Sequence, residues 1–84
     1  MFSGIIETIA TLKQIEQEGT NITFTFESKY THELKIDQSV AHNGVCLTVV
    51  AIDVDEYKVT AIDETLRLTN LGKLKVGDKV NFER

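Results

Sequence analysis

Asn43-Gly44 is followed by a run of eight strand-forming residues, and this pairing of a tight-turn signal with a period of two constrains the chain more than any other stretch. Asparagine and glycine both accept the positive φ that a two-residue hairpin turn demands. In Val45-Cys46-Leu47-Thr48-Val49-Val50-Ala51-Ile52 the period puts Val45, Leu47 and Val49 on one face and Cys46, Thr48 and Val50 on the other. Cys46 and Thr48 are therefore predicted to face the same way.

The pattern recurs along the chain. Residues 2 to 15 are rich in Ile and Thr and read as a first strand ending at the turn-like Glu16-Gln17-Glu18-Gly19-Thr20. Within it the adjacent Ile5-Ile6 pair breaks strict alternation, which points to a bulge or to burial on both sides. Residues 21 to 27 read as a half-buried strand, with Ile22, Phe24 and Phe26 on one face and Thr23 and Thr25 on the other. Ser28 is placed to cap a short helical turn through Leu34, with Tyr30 and Leu34 on one side. After a turn at Asp53-Val54-Asp55-Glu56 comes a strand from Tyr57 to Ile62; Asp63 then caps a short helix that Gly72 stops. Leu74, Val76, Val80 and Phe82 alternate with Lys75, Lys79, Asn81 and Glu83 as a last strand interrupted by a Gly77-Asp78 turn. No internal repeat of useful length is visible. Five or six short strands with little helix predict an all-β fold, a small closed antiparallel Greek-key barrel of about six strands with one or two short helices, because closure removes exposed sheet edges.

Composition narrows the function. Eighty-four residues form one domain, residues 1 to 84, since a second core needs roughly another 100 residues. Thirteen acidic against nine basic side chains give a net charge of −4, and Lys73, Lys75 and Lys79 are diluted by Asp78 and Glu83, so no nucleic-acid partner is expected. No apolar run spans a membrane, and the N-terminus lacks the basic region and cleavage site of an export signal, so the expected setting is cytoplasmic. One cysteine, Cys46, excludes an internal disulfide, and with only His32 and His42 beside it no metal site and no metal cofactor are expected.

Three ordered segments resemble riboflavin synthase, and specifically the first of that family's two similar barrels. Met1-Phe2-Ser3-Gly4-Ile5-Ile6-Glu7 is similar to the family's MFTGIIE signature, with Ser3 where threonine is usual. Residues 39 to 49, SVAHNGVCLTV, resemble its second signature, and residues 64 to 81 resemble its third. The resemblance covers essentially the whole chain. It implies a ligand, 6,7-dimethyl-8-ribityllumazine or riboflavin, and for the full-length parent a four-carbon transfer between two lumazines with no organic cofactor. It also implies a homotrimer for the parent, in which the N-barrel of one subunit meets the C-barrel of its neighbour. The second barrel has no counterpart in these 84 residues, so an incomplete catalytic site and a possible homodimer are expected of this piece.

Residue by residue, the resemblance implies ligand contact by Gly4, Ile5 and Ile6, by Cys46, Leu47 and Thr48, and by Thr60, Ala61, Ile62, Asp63, Glu64 and Thr65. An absent side chain at Gly4 lets a planar ring approach the backbone, or simply permits a bend. Cys46 is the candidate nucleophile toward an electron-poor lumazine carbon; a lone cysteine is otherwise a small buried hydrophobe. The Thr48 hydroxyl suits a pyrimidine edge. Ala61 and Ile62 are expected to give apolar ring contact, while Asp63 and Thr65 equally suit helix capping. His42 titrates near neutral pH but is expected in the loop before Asn43-Gly44 rather than as a general base. Arg67 is a helix-surface charge or a partner for Glu64. Two other functions compete: a non-catalytic lumazine or flavin-binding antenna, and an interaction module with no flavin affinity.

Overall fold

Alternation becomes closure in the computed structural model, which describes residues 8–84. Six antiparallel strands, β1 (Thr8–Glu18), β2 (Asn21–Glu27), β3 (Ser39–His42), β4 (Val45–Asp53), β5 (Glu56–Ala61) and β6 (Lys79–Glu83), join a six-residue helix, α1 (Asp63–Leu68). They pair in the order β1-β2-β5-β4-β3-β6 and close back on β1, a Greek-key barrel as expected. Phe24, Phe26, Val49, Val59 and Phe82 fill the interior and are at most 1% exposed. Gly4, Ile5 and Ile6 lie outside the described residues, as does the irregularity expected at Ile5-Ile6.

Two bulges shape the wall. The β1–β2 register shifts between Leu12 and Gln14, and the β4–β5 register shifts between Val49 and Ala51, leaving Lys13 and Val50 as extra residues. Each resets the alternation: Ala10 and Leu12 point inward before the first bulge, and Ile15 packs against the core after it. Several expected boundaries move for local reasons. Strand β1 runs on to Glu18, because Gln17 and Glu18 pair with Ile22 and Asn21 and only Gly19-Thr20 turns. Leu74 to Asp78 is not strand; Asp78 Oδ2 accepts the Lys75 N–H at 2.9 Å and Gly77 takes φ 98°, folding the segment into a turn before β6. The helical turn expected after Ser28 shrinks to a 3-10 turn at Thr31–Glu33, with Ser28 Oγ accepting the Tyr30 N–H at 3.2 Å. Helix α1 stops at Leu68, and Gly72 sits inside a separate 3-10 turn, Leu71–Lys73.

The structure also corrects the absence of a repeat. Exchanging β1 with β4, β2 with β5 and β3 with β6 reproduces the same barrel order, so the fold carries an internal two-fold. Both bulges obey it. So do the two crossover turns, in which Leu34-Lys35-Ile36-Asp37 matches Leu74-Lys75-Val76-Gly77. Lys35 N–H donates to Gln38 Oε1 and Lys75 N–H to Asp78 Oδ2, each at 2.9 Å, and Asp37 and Gly77 both have positive φ. Asp37 N–H donates to the Val49 carbonyl, and Gly77 N–H to the Leu12 carbonyl, each at 2.8 Å beside a bulge. Backbone geometry preserves the repeat where side chains have diverged.

His42 is not in a loop. It ends β3, is fully buried, and stacks on Phe26 with ring centroids 4.8 Å apart. Its Nδ1 lies 3.1 Å from the Val40 carbonyl, which can only accept, so Nδ1 carries the hydrogen and Nε2 accepts the Tyr57 hydroxyl at 2.7 Å. The pairing satisfies both polar groups inside an apolar barrel. Burial lowers the His42 pKa from 6.5 to about 4, and burial pushes the Tyr57 phenol upward. General-base chemistry at the surface is thereby excluded for His42.

Because the unfolded chain takes up this proton near pH 6.5 and the folded chain only near 4, stability present above pH 6.5 drains away as pH falls through that window. The full loss is roughly 3 kcal/mol. Urea midpoints measured from pH 7 to 4 are expected to fall, and His42→Gln is expected to flatten that slope. A second prediction concerns the β4–β5 turn, where Val54 adopts φ 54° and is 79% exposed. Val54→Gly removes the left-handed strain with no packing to lose, and thermal unfolding is expected to show a gain of about 1 kcal/mol.

Candidate functional site

Strand pairing carries a line of hydroxyl groups across the outer wall. Ser39 pairs with Thr48, Thr48 with Thr60, and Thr60 with Thr23, so β3, β4, β5 and β2 each contribute one hydroxyl to a single row. Cys46 stands two residues before Thr48 on the same face and is exposed, as alternation predicted. Ile62 leaves β5 in extended conformation, 54% exposed, and its carbonyl accepts the Leu66 N–H to start α1. Continuing the Thr48–Thr60 register by two residues sets Ile62 opposite Cys46. The thiol, two hydroxyls and one apolar side chain thus occupy a common patch at the start of α1.

The hydrogen bonds in this row have a direction. Thr23 Oγ1 donates to Glu18 Oε1 at 3.1 Å, which uses its one hydrogen. The 3.0 Å contact between Thr23 and Thr60 is therefore donated by Thr60. Thr60 is left with oxygen lone pairs toward solvent, so it presents an acceptor, while Thr48 keeps a rotatable hydroxyl that serves either role. A cyclic imide edge offers the complementary N–H and carbonyl groups.

Several expected contacts are relocated. Leu47 and Ala61 are 4% and 1% exposed, with side chains in the barrel core, so the apolar ring contact expected of the Ala61 side chain cannot form and only main-chain groups of these two residues reach the wall. Asp63 does not cap α1; Ile62 occupies the cap position, and Asp63 Oδ2 pairs with Arg67 Nε at 3.4 Å one turn on. That ion pair also replaces the one expected between Arg67 and Glu64. Thr65 offers its carbonyl to the Thr69 hydroxyl at 2.8 Å rather than capping, and Glu64 is exposed. Sequence reasoning missed Thr23 and Ser39: the strand pattern gave the face of Thr23 but not its neighbour across the sheet, and Ser39 lies on β3, a four-residue strand too short to show an alternation of its own. Among the described residues no cluster of His, Cys, Asp and Glu has the geometry to hold a metal ion.

The internal two-fold explains why the patch occurs once. Counting back from each bulge, Ile9, Thr11 and Glu27 hold the positions equivalent to Cys46, Thr48 and Thr60. They line a cleft of about 320 Å³ together with Ser28, Lys29 and Asp55. Thr11 keeps the hydroxyl of Thr48, but Ile9 and Glu27 replace the Cys46 thiol and the Thr60 hydroxyl, and Lys29 and Asp55 add further charge to the cleft.

A partly exposed wall of neutral hydrogen-bonding groups on a small closed barrel is suited to a compact ring with a polar edge. Comparison with known proteins agrees. The model of the lumazine binding domain matches residues 3–84, and the chain belongs to that family. Riboflavin synthase from Escherichia coli (strain K12) is 44% identical over 86 residues, and that from Bacillus amyloliquefaciens is 38% identical over 85; both alignments take in the whole chain and 40% of the relative. The chain thus spans about two fifths of the length of these curated relatives. Crystal structures of LumP superpose closely: the riboflavin complex has a TM-score of 0.91 at 28% identity over 99% of this chain and 46% of LumP, and the complex with 6,7-dimethyl-8-(1'-D-ribityl) lumazine has 0.90.

Removing the relay at its centre is expected to loosen this wall. Thr23→Val deletes both the bond to Glu18 and the acceptor for Thr60, and urea unfolding is expected to show a loss of about 1 kcal/mol.

Proposed function

We propose that this barrel holds one 6,7-dimethyl-8-ribityllumazine or riboflavin against the face formed by Cys46, Thr48, Thr60 and Ile62. In the longer protein it supplies one half of a riboflavin synthase site. The observation that carries this reading is the fixed direction of the Glu18–Thr23–Thr60 relay, which leaves Thr60 as an acceptor beside the Thr48 hydroxyl. The ligand's pyrimidinedione N–H donates to Thr60 Oγ1 and an adjacent carbonyl accepts from Thr48. Ile62 supplies apolar cover to the ring, and main-chain groups from Ala61 to Thr65 take the remaining polar edge. Gly4, Ile5 and Ile6 complete the contact, as the resemblance implies. LumP complexes with lumazine, riboflavin and flavin mononucleotide support the ligand class.

Catalysis in this reading is largely a matter of placement. Two lumazines held face to face, one on this barrel and one on a partner barrel, react as if at very high concentration, an effect worth about 7–11 kcal/mol at best. The exposed Cys46 thiol is the chain's own nucleophile next to the ring. A non-catalytic antenna that holds the same ligands is the second reading, and the LumP complexes bear on the ligand class it shares with the first.

Titration of riboflavin into the 84-residue protein, read by fluorescence and solution mass, tests both. Saturable quenching at micromolar riboflavin is expected for the synthase-type barrel, whereas an antenna keeps its ligand bright. Thr60→Val and Thr48→Val are each expected to weaken binding about five- to tenfold, the worth of one hydrogen bond. Cys46→Ser is expected to leave affinity within about threefold while lowering turnover when the same change is made in the full-length enzyme. A titration with no saturable change at micromolar ligand removes the binding claim.

A further inference from the structure

Along the same outer wall, one step of register beyond the hydroxyl row, Gln14, Thr25, Lys58 and Ala51 form a second row across β1, β2, β5 and β4. Beside the two bulges this row lines a hollow of about 180 Å³, edged by Asp53 and Glu56. We propose that this hollow binds a guanidinium group, a site that shares no residue with the flavin face and does not depend on it.

Three observations select that chemistry. Thr25 lines the hollow, is 3% exposed, and its Oγ1 has no hydrogen-bond partner among the described residues, so it sits ready for a group from outside. Asp53 and Glu56 are direct cross-strand partners, an arrangement in which like charges repel, and neither has an ion pair among the described residues. Lys58, the one cation lining the hollow among the described residues, is already held by Glu16 at 3.4 Å. The hollow is thus net negative and closed to anions. A compact ammonium answers one carboxylate at a time. A guanidinium presents five N–H donors in one plane, enough to bridge Asp53 and Glu56 and still donate to Thr25 Oγ1, while the Ala51 methyl and the Lys58 stem accept its flat face.

The test is a titration of the ¹⁵N-labelled protein with ethylguanidinium, followed by amide shifts, against ethylammonium at equal ionic strength. Saturable shifts at Thr25, Ala51 and Lys58 are expected for ethylguanidinium, at least about fivefold tighter than for ethylammonium. Thr25→Val is expected to weaken binding several-fold and Thr25→Ser to restore it; Asp53→Asn with Glu56→Gln is expected to weaken it about tenfold or more. A capped tripeptide centred on arginine binding at least as tightly assigns the group to a protein partner; weaker binding assigns it to a small molecule. Absence of saturation, an equal response to ethylammonium, or an unchanged titration in a folded Thr25→Val protein overturns the proposal and leaves only water in the hollow. Riboflavin binding is unaffected by these outcomes, so failure here is distinguishable from failure of the flavin site.

Discussion

Closure of the sheet on itself decides what every strand residue does. Once β6 pairs with both β1 and β3, none of the six strands has a free edge, and each side chain is committed to a packed interior or a solvent-facing wall. An interior this narrow is filled by Phe24, Phe26, Tyr57 and Phe82 and leaves no room for a ligand ring. Function is therefore driven to the outside. The bulges at Lys13 and Val50 are what let six short strands bend far enough to close, and they also shape the wall where the polar rows lie.

Alternation in residues 45 to 52 makes the shared face of Cys46 and Thr48 legible from residue order alone, and the barrel class follows from turn spacing. The same alternation, read with the β5 strand, carries enough information to place Leu47 and Ala61 inside; the family resemblance points to them as contacts instead. Three things lie beyond a one-dimensional pattern. Register across strands is absent from it, so Thr23 and Ser39 do not show themselves beside Thr48 and Thr60. Capping by position differs from capping by side chain, so Asp63 suits on paper a role that Ile62 fills. Burial of a polar residue needs a partner from elsewhere in the chain, and His42 has Tyr57, fifteen residues away.

That His42–Tyr57 pair also shows how the two-fold has been used. Both halves retain the backbone devices that build the barrel, namely the bulge, the 3-10 turn and the positive-φ residue after it. Side chains then differ by purpose. A thiol and neutral hydroxyls gather on β4 and β5, Ile9, Thr11 and Glu27 hold the equivalent places on β1 and β2, and an aromatic and imidazole stack holds the interior between them.

The pairing of β1 with β6 has a consequence for the living cell. Thr8 through Thr11 bond to residues 79 to 82, the first strand of the ring to its last, so the barrel is sealed by its most distant contact. A ribosome making this protein releases β1 and β2 as a hairpin open on both flanks; β5 can cover the β2 side, but the β1 side stays open until residues 79 to 83 have left the exit tunnel. Until then the nascent chain is an unfinished cup, and only the arrival of β6 turns it into a barrel.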